Sequence, residues 1–215
     1  MRGPLLSALC GVLLCACAST VEEQRRSLDE ASVCCESISQ LPFVPLTAGK
    51  PKSVKLDATS PAFDFDGAKS FFFAGSLPPY SAPLALSVES RGTVVPARPE
   101  MTSVFRPDVV FLDQSFRVTR RIQPASFKRS RGADLRATIF INPENATDAY
   151  VIVFTDPRTH AGDGGVVKAF TPHTFSLGGA PITLDGAEHS VPLSFSATGN
   201  LTLELQEYAP ASISR

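Results

Sequence analysis

The sequence predicts an all-β protein: an antiparallel two-sheet β-sandwich of jelly-roll-like character, with a short N-terminal tether helix. Three observations carry this expectation. Beyond Lys52 the apolar residues recur with period two, in short runs separated by Pro, Gly, Asp and Asn, as half-buried strands and their turns do. The chain holds 18 prolines, which shorten helices and mark strand ends. Roughly nine or ten such runs, spaced as in sandwiches, imply two sheets packed face to face.

The elements follow in order. Arg2 precedes a short apolar run that ends in "LLCAC". Leu14, Cys15, Ala16 and Cys17 read as a bacterial lipobox, with residues 1–16 as the signal peptide and Cys17 as the lipidated residue. The run is much shorter than the ~20 residues needed to span a bilayer. The lipid would anchor the protein in a membrane, and the lack of Asp after Cys17 favours the periplasmic side of the outer membrane. Residues 17–40 form the tether, where Val21, Leu28, Cys35 and Ile38 fall on one side of a helix that Ser19 or Thr20 caps. The β-sandwich domain covers 41–208, and 209–215 is a tail. Cys34 and Cys35 are adjacent, so a bond between them needs a strained eight-membered ring, and free thiols or a bond to another protein are expected. The pair offers too few ligands for zinc.

Within the domain, "SVKLD" and "KSFFFAGSL" are the first strands. "PLALSVES" turns Leu84, Leu86 and Val88 inward. "VVFLD" at 109–113 is apolar on both faces, as a strand covered on each side would be. "FRVTRRI", "LRATIFIN", "YVIVFT", "PITLD", "VPLSF" and "NLTLELQ" follow, the last with Leu201, Leu203 and Leu205 alternating against polar residues. Pro107 lacks the N–H that a ladder needs and marks the start of the strand that carries Asp108. Asp113 with Gln114 and Ser115 makes the turn to the next strand, its carboxylate accepting backbone N–H bonds. Both aspartates therefore read as punctuation between strands.

Chemistry is sparse. Net charge is −1 and charged residues make up 19%, which argues against nucleic-acid binding. No Gly-x-Ser-x-Gly elbow, His-Glu-x-x-His helix or phosphate loop occurs, so no catalytic residue and no cofactor is expected, His160, His173 and His189 notwithstanding. Asp156, His160 and Asp163 share one glycine-rich loop without the alternating acidic pattern of calcium loops, and no metal is expected there. Seven cations between Arg117 and Arg136 are opposed only by Asp134. On an edge strand they discourage aggregation; as a contact surface, Arg129 and Arg131 would meet an acidic partner. Arg120 and Arg121, being adjacent, point to opposite faces. Tryptophan is absent, so a platform for sugar stacking falls to Tyr80 and Tyr150, with Tyr208, Phe105 and Phe127 behind them.

"TSVFRPDVVFLDQSF" at 102–116, then "RGADLRATIFINP" and "YVIVFT", resemble the maltose operon periplasmic protein family, in which a "TSVFAP" start, an apolar strand ending in "LDQ" and a later "YVLVFTT" recur in that order. "LPFVPL" and "LALSVES" fit the same scheme, and the likeness covers roughly residues 40–206. It implies a secreted β-rich protein, encoded with or near a maltodextrin uptake system, with no established enzymatic activity and no catalytic residues to carry over. Phe105, Pro107, Leu112 and Asp113 match positions whose simplest role is folding. The lipobox and the early end after Gln206 depart from the family, which can have an ordinary cleavable signal and a helical tail. The expected partners are a malto-oligosaccharide or a porin or other transport component.

Overall fold

A computed structural model describes residues 19–160, 164–170, 173–177, 180–184, 186 and 188–208. Cys17 and Asp163 lie outside them. The only α-helix among them, Val21–Glu30, opens on a capping box: Thr20 Oγ1 accepts from the Glu23 N–H, and Glu23 Oε2 accepts from the Thr20 N–H. These two bonds satisfy donors that a helix start would otherwise leave open. The helix stops at Glu30, so the stripe read as Val21, Leu28, Cys35 and Ile38 does not lie on one helix. Beyond Ala31 the backbone leaves to pair elsewhere, with Val33 bridged to Ala62 and the Cys34 N–H donating to the Ala62 carbonyl. Leu28 enters the main core. The helix is thus seated on the domain instead of standing off from it.

Two five-stranded sheets dominate. The first runs in the order Val44–Pro45, Phe73–Ser76, Tyr150–Phe154, Asp108–Leu112, Val118–Ile122. The second runs Lys128–Arg129, Leu135–Ile141, Leu84–Arg91, Gly199–Glu207, Lys52–Leu56. The pairing is antiparallel except at Val44–Pro45, which lies parallel to Phe73–Ser76. Four further two-stranded pairs complete the described strands. One of them, Ser103–Phe105 with Ser194–Ser196, is also parallel.

Period two explains the main core. Leu84, Leu86 and Val88 from one strand and Leu201, Leu203 and Leu205 from its neighbour meet Val109, Phe111, Val151 and Val153 of the first sheet. Each such side chain taken from water contributes about 2 kcal/mol. The alternate residues of the first sheet, Leu112, Ile152 and Phe154, enter a second core with Leu41, Phe63, Phe72 and Ala74. This is why "VVFLD" has no polar face. Residues 33–43 and the hairpin Ala62–Phe65/Ala68–Phe71 form a third layer over it.

Two expectations are corrected here. "KSFFFAGSL" is two strands, Ala68–Phe71 and Phe73–Ser76, which belong to different sheets. The strand Ala62–Phe65 before it escapes a period-two reading, although Asp66–Gly67, both at positive φ, is a hairpin signal. Cys34 and Cys35 are disulfide-bonded to each other. The two residues are already neighbours in the chain, so the bond has no long loop to close and forms within the eight-membered ring.

Candidate functional site

The register shows where the chain passes between the sheets. Ser76 pairs with Tyr150 and Tyr150 with Leu112, while Leu84 pairs with Ile141 and with Glu207. Residues 77–83 and 142–149 therefore both cross from one sheet to the other at the same end of the molecule. The turn 113–117 lies at that end too, between two strands of the first sheet.

These three segments enclose a cleft of about 810 Å³, which Tyr80, Asp113, Gln114, Thr147 and Tyr150 help to line. The two tyrosines expected from sequence, 70 positions apart, are thus brought into one concavity. Tyr80 is half-buried, with its ring against the main core. Burial pushes its hydroxyl above the usual tyrosine range, and Glu144 and Tyr208 add to this. The Tyr150 ring lies near-parallel to Phe116, with centroids 4.8 Å apart, and 4.5 Å from Phe43. Contacts of this kind add about 0.5–1.5 kcal/mol each beyond burial, so Tyr150 is held in a fixed position.

The polar wall is fixed as well. Asp113 Oδ1 accepts from the N–H groups of Ser115 and Arg117 at 2.8 and 2.9 Å, as its turn role requires. Its other oxygen accepts no hydrogen bond among the described residues. Gln114 is exposed beside it. Asp148, also on the wall, is occupied: Arg120 Nε and Nη2 both lie 2.8 Å from its Oδ2, and Thr119 donates to Oδ1. Arg120 further donates through Nη1 to the Phe140 carbonyl and sits 4.3 Å over the Phe111 ring. A single guanidinium thereby joins the edge strand of the first sheet, the crossing 142–149 and the second sheet. The Leu77 N–H to Ala149 carbonyl bond ties the two crossings together.

The basic segment is placed differently. Arg129 pairs opposite Leu135, at the far end of the strand that finishes in Ile141. Its guanidinium donates to the carbonyls of Gly164 and Val166, both at 2.7 Å. Arg131 is exposed in the neighbouring turn. Arg120 and Arg121 do leave their strand on opposite faces. Arg121 makes two bonds to Asp108 at 2.7 and 2.9 Å and lies 3.9 Å from Asp156. Asp156 in turn receives Arg158 Nε and Nη2 at 2.9 and 2.8 Å. Asp108 is fully buried and is therefore one member of an ion network, which corrects its reading as punctuation. Asp113 remains a turn residue with a face on the cleft.

Of the histidines, His189 stands half-buried on Glu188–Pro192, while the side chains of His160 and His173 are outside the described set. Among the described residues no three metal-ligating side chains gather, and no helix is long and apolar enough to cross a membrane. What the cleft offers is aromatic surface, one open carboxylate oxygen, an amide and hydroxyl groups. Stacking and hydrogen bonding are the interactions that such groups can make with a ligand. No protein-family model matches the chain, and no curated protein matches it either.

Proposed function

We propose that the protein is a lipid-anchored, non-enzymatic glycan-binding protein of the cell envelope, accessory to carbohydrate uptake and built as a jelly-roll-like two-sheet sandwich. The observation that carries the reading is the convergence of Tyr80 and Tyr150, with Asp113, in one cleft. The lipid anchor rests on the lipobox at Leu14–Cys17, and the choice of maltodextrin rests on the likeness of residues 102–116 and 150–155 to the maltose operon periplasmic protein family. Maltohexaose titrated by calorimetry is expected to release heat with the wild-type protein and much less with Tyr150→Ala. Wild-type heat retained by that variant, or no heat from any malto-oligosaccharide, would refute the reading.

Contact with a porin or another acidic partner through Arg129 and Arg131 gains no comparable support. Arg129, although exposed, is already bonded to two carbonyls of its own chain, and Arg120 and Arg121 are paired with Asp148 and Asp108.

A further inference from the structure

The crossing 142–149 extends beyond the cleft that it walls. Its first residue, Asn142, accepts the Tyr208 hydroxyl through Oδ1 and donates through Nδ2 to Glu144 Oε1 at 3.1 Å. Tyr80 belongs to the other crossing, residues 77–83, whose Pro83 carbonyl accepts from the Tyr208 N–H. Two residues before Asn142 stands Phe140, one of five large apolar side chains left open to solvent among the described residues, at 48% exposure. Its ring centroid is 4.9 Å from that of Tyr208. The surroundings do not explain an exposed phenylalanine by burial: on the same outer face stand Thr138, Ser87, Glu204 and Gln206. Yet the backbone at Phe140 is fixed, through Arg120 Nη1 on its carbonyl, and Tyr208 is fixed by Asn142 and by its own N–H to the Pro83 carbonyl.

We infer that Phe140 and Tyr208 form a second aromatic subsite, continuous with the cleft through Tyr80, and that the ligand is a neutral linear oligosaccharide long enough to cover both. The inference rests on the glycan reading and deepens it. Tyr150 and Tyr80 share the cleft, Tyr208 is tied to Asn142 and to Pro83 at the ends of the two crossings that wall it, and Phe140 lies against Tyr208, so a ligand held in the cleft meets the second pair only by extending. Pyranose units supply this, because each presents C–H faces to a ring and hydroxyl groups to the polar residues between rings. The charges favour a neutral chain. Asp113 and Glu144 border the path, and the Arg120 guanidinium is committed to Asp148 and the Phe140 carbonyl. Uronic or sulfated sugars would meet like charge at the Asp113 and Glu144 carboxylates.

Calorimetric titration with glucose, the di-, tetra- and hexasaccharides of the malto and cello series, and an oligogalacturonate tests this on the wild type, Phe140→Ala and Phe140→Tyr. Affinity is expected to rise roughly tenfold or more from disaccharide to hexasaccharide in one neutral series. Phe140→Ala should lose that gain while keeping the disaccharide affinity; Phe140→Tyr should keep the gain. The oligogalacturonate should bind more weakly than the neutral chain of equal length. Binding that is independent of length, an unchanged hexasaccharide affinity in Phe140→Ala, or preferred binding of the acidic chain would overturn the second subsite and leave the cleft standing. Absence of binding by every sugar would overturn the glycan reading with it.

Discussion

Phe116 sits at φ 60°, in the left-handed region where a β-carbon crowds the following carbonyl at a cost of about 1–2 kcal/mol. A bulky residue there is an outlier that the surroundings must hold in place. The surroundings are Tyr150, stacked on it, and the turn that Asp113 pins. The strain therefore positions a cleft residue. Phe116→Gly removes both the strain and the ring, two effects of opposite sign and each about 1–2 kcal/mol. The melting temperature is expected to move by no more than about 5 °C, while oligosaccharide affinity falls on the order of tenfold. Equal affinity in the variant would show that Phe116 does not position Tyr150. At this scale the sequence was legible where chemistry is local. Asp113 followed by Gln114 and Ser115 reads as a turn and is one. Asp108 did not disclose its role, because its partner, Arg121, arrives through strand register and not through sequence spacing.

Between elements, charge does what apolar contact does within the cores. Asp108 starts one strand, Arg121 lies on the edge strand beside it, and Asp156 and Arg158 follow the neighbouring strand on its other side. The hydrogen bond from Arg158 holds the Asp156 carboxyl below its usual range, against the opposing effect of burial. A carboxyl with a depressed folded-state pKa stabilises the fold above its unfolded pKa of about 3.9, and that contribution is lost as pH falls through the folded value. Asp156→Asn should accordingly be less stable than the wild type near neutrality, with the gap closing as pH drops below about 4. Melting temperatures followed from pH 7 downward by circular dichroism check this, and a gap of constant size would contradict it. The helix shows the limits of pattern at this scale. Thr20 and Glu23 signal its start, but its end depends on Ala62 drawing Val33 and Cys34 into a bridge. That contact is with a strand the period-two reading did not find.

For the whole molecule, the all-β character was legible because Leu84, Leu86 and Val88 and Leu201, Leu203 and Leu205 alternate cleanly and are buried as read. The third layer was not, since 33–43 and 62–71 gain their apolar partners only once the first sheet presents Leu112, Ile152 and Phe154 outward. Likewise the candidate tyrosines were legible as residue types, while their meeting was not, because it follows from both crossings lying at one end. The central claim, that this end of the molecule receives a glycan, is tested most directly by soaking crystals of the protein in maltohexaose. The account predicts sugar density between Tyr80 and Tyr150, with a hydroxyl within hydrogen-bond reach of the open Asp113 oxygen. Sugar seated elsewhere, or an empty cleft at saturating concentration, would contradict it.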